Sequence, residues 1–108
     1  MHELFDRAKM EDKPVLLDFT AEWCSTCMLV DEIIEKRIMP KYKDKIILAK
    51  LDVNEHIDLA KKLGIFSVPT LILYKLNGEE TWRKVGAVEG EEIERNIERM
   101  LREEGRRT

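Results

Sequence analysis

The sequence predicts an α/β fold, a mixed four-stranded sheet with helices on both faces, and three observations predict it. Two apolar runs of strand length, PVLLDFT from Pro14 and KIILAKLDV from Lys45, are separated by a stretch of helical period. Strands joined through a helix pair in parallel by a right-handed crossover. Farther along, TLILY (residues 70 to 74) and TWRKV (81 to 85) flank Asn77-Gly78, a dipeptide that favours a tight hairpin and therefore antiparallel strands.

The elements follow in order. Residues Glu3 to Met10 carry Leu4, Phe5 and Ala8 at helical spacing, which predicts a short first helix. In PVLLDFT, alternation sends Val15, Leu17 and Phe19 to one face and Leu16, Asp18 and Thr20 to the other. A central strand makes Asp18 a buried carboxylate; an edge strand lets it reach water. From Cys24 to Met39, Val30, Ile33, Ile34 and Ile38 form an apolar stripe with charges opposite. Pro40 is expected to end that helix, because proline cannot continue the hydrogen-bond ladder. Asn54 is placed to cap a helix reaching Leu63, with Gly64 as its left-handed exit. The last helix, from about Gly90 to Arg102, is expected to bury Ile93, Ile97, Met100 and Leu101, and the ending REEGRRT to fray. No repeat or linker interrupts the pattern, so residues 1–108 read as a single domain.

Composition narrows the function. The chain is 38% charged, yet the signs nearly cancel to a net of −3, which excludes the clustered basic footprint of a nucleic-acid binder. No apolar run approaches the roughly 18 residues of a membrane span. The opening MHELFDRAKMEDK lacks the apolar segment of a secretory signal. A cytoplasmic chain is the expectation, or a periplasmic or extracytoplasmic one if this is an excised or processed domain. The absence of glutamine and the three asparagines, beside many lysines and glutamates, match heat-adapted proteins, so a thermophilic source is expected.

Both cysteines lie in TAEWCSTC, Thr20 to Cys27. A structural zinc site needs four ligands, and His2 and His56, the only histidines, read as surface residues. A structural disulfide across so short a loop constrains the unfolded chain little. A redox dithiol fits the position better, because the pair sits where a strand ends and a helix begins. There the unpaired N–H groups and the helix dipole favour an anion. Cys24, at the start, gains most, and Cys27 lies one turn deeper and more covered. No metal or cofactor is expected.

VLLDFTAEWCSTC, then AKLDV, then SVPTLILYKLNGE, in this order over about residues 13 to 101, resemble the thioredoxin family. The resemblance implies a thioredoxin fold without the family's extra N-terminal strand, and thiol–disulfide exchange on protein substrates. It implies Cys24 as the attacking thiolate, Cys27 as the resolving thiol, Asp18 as a buried proton relay and Lys50 as its partner. Trp23, Val68 and Pro69 would contact substrate, with Pro69 at the position of the family's cis-proline; Gly78 and Gly86 match its hairpin and last-strand glycines. The implied partners are disulfide-containing proteins and an electron-donor reductase or membrane thiol carrier, with the chain acting as a monomer.

Departures matter too. Ser25-Thr26 stands where the family has Gly-Pro, Thr20 where it has a second tryptophan, and Met28 where a lysine follows the motif. With no proline soon after Cys27, the helix is expected to run straighter. Several departures resemble the soluble domain of transmembrane thiol:disulfide interchange proteins, which leaves a relay domain as one alternative. A thioredoxin-like chaperone or binding module without turnover is the other. The glycine-rich acidic motif of glutaredoxins is absent after the hairpin.

Overall fold

The computed structural model describes residues 2–105. The side chains of residues 2–5 and all of residues 106–108 lie outside the described residues, and with them the expected surface place of His2 and the end of the fraying tail. The element order is α1 (His2–Glu11), β1 (Val15–Thr20), α2 (Ser25–Ile33), a π turn (Ile34–Ile38), α3 (Met39–Tyr42), β2 (Ile47–Asp52), α4 (Ile57–Leu63), β3 (Thr70–Tyr74), β4 (Glu80–Val85) and α5 (Gly90–Gly105).

The sheet runs β2-β1-β3-β4. β1 pairs in parallel with β2, Asp18 opposite Lys50, and antiparallel with β3, Leu17 opposite Ile72. β1 is therefore interior, and all six of its residues are buried. Strand alternation then sorts the core into two layers. On one face Leu16, Leu71 and Leu73 pack with Val30, Ile34, Ile38 and Tyr42, and with Ile93, Ile97 and Met100 of α5. On the other Val15, Leu17, Phe19 and Ile72 pack against Ala8 of α1 and Ala60 of α4. Each fully buried aliphatic side chain contributes about 1.5–3 kcal/mol, so both layers are needed to hold the central strand.

Pro40 does not stop the second helix. α2 widens into the π turn, where the Met39 N–H bonds Ile34 O five residues back, and α3 then starts with Pro40 in its first turn. A proline is tolerated there because the N–H it lacks has no partner in a first turn anyway.

α5 holds the widened segment in place. The Arg37 guanidinium donates to Glu94 Oε1 from Nη2 and Nε at 2.6 and 3.0 Å. The buried Tyr42 donates its O–H to Glu98 at 2.7 Å. A Cβ at Gly90 would lie 2.6 Å from Arg37 Cδ, so a larger residue there would make the Arg37 side chain shift. Asn54 does not cap α4. His56 occupies that position without a side-chain bond, and Asp52 Oδ1 instead accepts the Asn54 N–H at 2.8 Å. Leu101 is half-buried rather than core, and α5 continues past Arg102 to Gly105.

Candidate active site

The cysteine turn leaves the C-terminal end of β1. Trp23 takes a left-handed φ of 61°, unusual for a residue with a Cβ, and its side chain is 97% exposed. Cys24 follows as the N-cap of α2, with extended backbone, and its Sγ accepts the Cys27 N–H at 3.2 Å. Its sulfur thus stands at the positive end of the helix, in the place an N-cap oxygen normally fills. Cys24 and Cys27 are joined as a disulfide with their Cα atoms 5.2 Å apart. Cys24 is half-exposed, whereas Cys27 is 1% exposed. One turn of helix produces that difference.

The Val68–Pro69 peptide is cis and Pro69 is buried. Thr70, the next residue, pairs with Phe19, and Pro69 O accepts the Gly86 N–H at 2.8 Å. The proline loop therefore lies beside the end of β1 from which the cysteine turn departs. Phe66, three residues before Pro69, is 95% exposed and stands outside the core. Two clefts flank α2, and one of them contains Cys27. One, of about 470 Å³, runs from Thr26 along Leu29 and Ile33, with Ala87 and Val88 on its far wall. The other, of about 380 Å³, is polar and apolar in equal measure and is lined by Trp23, Cys27, Met28, Asp31 and Lys50 among others.

Asp18 lies deep beneath, 2% exposed. Burial pushes its carboxyl up to about 8, helped by the neighbouring Asp31 and opposed by the Lys50 charge. Lys50 stands beside Asp18 in register, yet its ammonium bonds Asp31 Oδ2 at 2.7 Å and acts on Asp18 only through its charge. Burial also works to raise Asp31. The hydrogen bonds from Asp18 and Lys50, with the Lys50 charge, outweigh it and hold Asp31 below the usual value.

Residues 2–99 match the thioredoxin family model. The chain belongs to the thioredoxin family. It is 36% identical to a thioredoxin of Alicyclobacillus acidocaldarius over 90% of each chain. It is 44% identical to a thioredoxin of Rickettsia bellii, over 69% of this chain and 70% of that one. The crystal structure of thioredoxin NaTrxh from Nicotiana alata superposes with a TM-score of 0.77 at 33% identity, covering 92% of this chain and 83% of that one. With its paired cysteines at the head of α2, this thioredoxin-family protein is a thiol–disulfide oxidoreductase that reduces disulfides in proteins. Among the described residues, no helix is long and apolar enough to cross a membrane.

In this thioredoxin-family protein, Trp23, Cys27, Asp31 and Lys50 line one cleft at the helix start, Asp18 shares the next cleft with Asp31 and Lys50, and the Val68–Pro69 loop stands at the adjoining strand end. Asp31 is the residue that sequence reasoning passed over. A signal was present: it is four residues after Cys27, hence on the same helix face.

Proposed function

We propose that the chain reduces protein disulfides in two steps, with Cys24 as the nucleophile and Cys27 as the resolving thiol. The observation that carries this division of labour is the contrast between the accessible Cys24, capped by an N–H at the helix start, and the covered Cys27 one turn below.

The Cys24 thiolate attacks one sulfur of a substrate disulfide. That S–S bond breaks, and the first substrate sulfur leaves as a thiolate. Cys27 then gives its proton, by way of a water, to the Asp18 carboxylate and attacks Cys24 Sγ. The bond from Cys24 to substrate breaks, and the second substrate sulfur leaves as a thiolate. Two electrons have passed from the dithiol to the substrate, whose thiolates take protons from water. The closed product is the state described here. A substrate segment laid along Val68 and Pro69, as a short added strand, with Trp23 alongside, would bring its disulfide to Cys24.

Activation of the nucleophile is the smaller part of the rate. Lowering a thiol pKa by about 1.5 units from its usual value multiplies the thiolate at neutral pH by about 16. It also cuts nucleophilicity about fivefold, for a net gain of about threefold. The larger contribution is the tethering of Cys27, which attacks at high effective molarity.

The reductant that resets the pair, on this reading, is a reductase or membrane thiol carrier approaching Cys24 from the same open side. The chain works as a single-domain monomer, which its closed two-layer core supports. A reducing cytoplasmic setting suits the chemistry. The test is insulin reduction by dithiothreitol, with and without the protein. Acceleration is expected, and Cys27→Ser should lose it while accumulating mixed disulfides on Cys24. A Cys27→Ser variant that turns over at the parent rate removes the two-step scheme.

A further inference from the structure

This inference rests on the proton role given to Asp18 above and concerns the residue beside it. Asp18 and Asp31 each have a buried Oδ1 with no hydrogen-bond partner among the described residues, while both side chains line one cleft beside Lys50. Two ionised carboxylates cannot bond, and leaving buried acceptors unsatisfied is costly. One proton held between them removes both problems, as in carboxyl pairs that titrate together. The other oxygen of Asp31 is already committed to Lys50 at 2.7 Å. Asp31 is also the side chain that, with Lys50, lines two clefts at once. One contains Cys27; the other, of about 230 Å³, contains Asp18 with Ile34, Met39 and Leu48.

We propose that Asp31 is a positioning residue of the exchange reaction: anchored by Lys50, it shares one proton with Asp18 and thereby sets when Asp18 is free to accept the proton of Cys27. In the oxidising half-reaction the pair must first release its shared proton to solvent. The Cys27 S–H proton then passes by way of a water to an Asp18 oxygen, and the Cys27 sulfur carries its electron pair to Cys24. In the reverse direction the shared proton passes from Asp18 to the departing Cys27 thiolate. No further reactant is required.

The charged groups that share a cleft with Asp18 are Asp31 from α2, Glu35 from the π turn and Lys50 from β2. The β3 neighbour in register is Leu71, which carries no charge. The two charged partners act on Asp18 with opposite sign. Asp31→Asn removes a like charge, so Asp18 should ionise at lower pH. Lys50→Met removes a cation, so it should ionise at higher pH.

The experiment follows the Asp18 side-chain carboxyl by carbon NMR from pH 4 to 10, alongside the pH profile of insulin-disulfide reduction by the dithiol form. In Asp31→Asn both midpoints should fall, by about one pH unit or more. In Lys50→Met both should rise. A merely structural role would lower the rate without moving the midpoints in opposite directions. An Asp18 midpoint unmoved in Asp31→Asn overturns the proposal, as does a moved midpoint with an unmoved rate profile. Because the NMR titration needs no turnover, it stays readable even if the parent fails to reduce insulin, a result that would sink the two-step reading instead.

Discussion

The two ends of the helical segment from Ser25 to Tyr42 are built to opposite rules. At its start, Trp23, Met28 and Leu29 are exposed, the backbone takes a left-handed turn, and a carboxyl is buried with an unsatisfied oxygen. At its far end, Ile34, Ile38 and Tyr42 are buried, and α5 grips the segment through Glu94 and Glu98. The start carries features that oppose folding and serve chemistry; the end carries stability and touches no reacting atom. A reactive helix start can remain open and strained because its other end is over-determined.

That contrast predicts effects of opposite sign. Ile38→Ala, at the buried end, should lower unfolding free energy by about 2–5 kcal/mol in urea titration while leaving the reduction potential of the cysteine pair unchanged. A potential that moves with stability would merge the two ends into one unit. Asp18→Asn, beneath the reactive end, should do the reverse and stabilise the protein by a few kcal/mol. The folded carboxyl titrates near 8, above its usual 3.8, so the folded state holds a proton that the unfolded chain has lost. Stability of the parent is therefore complete below about 3.8 and falls as pH rises to about 8. The advantage of Asn should grow across that window and level off above it, as urea titrations at pH 4, 6 and 8 would show. An advantage independent of pH would mean Asp18 is not the group that titrates.

Smaller effects sharpen the picture. Gly90→Ala makes the flexible Arg37 side chain shift while gaining helix propensity, so stability should change by less than about 1 kcal/mol, read as a nearly unmoved thermal midpoint with normal insulin reduction. Met28→Lys adds a cation at an exposed site beside the cysteines. It should quicken attack on disulfides by less than about twofold, and only at low salt. A salt-independent gain would point to contact rather than charge.

Much of this was legible in the residues. The alternation in VLLDFT gives the face on which Asp18 lies, and the sheet order then buries it; all four strands stand where the sequence predicts them, β1 and β2 trimmed, β3 unchanged and β4 longer by Glu80. The π turn was not legible, because a proline forbids one hydrogen bond without saying how the preceding turn will adjust. Register, which is a backbone property, brings Lys50 beside Asp18. Its long side chain then chooses the more accessible Asp31, a choice set by packing depth rather than by strand pattern. Asp31 itself sits among charged neighbours on an amphipathic helix, where a solvent-facing role is the ordinary expectation, and only its spacing from Cys27 marks it out.

The unequal cover over the two sulfurs has a practical outcome for anyone handling the opened form. A limiting amount of maleimide should find only the outer thiol, giving one label per molecule at a known point beside Trp23. Because these are the only sulfhydryls in the chain, a dye, spin probe or surface tether could be placed there without first deleting a cysteine.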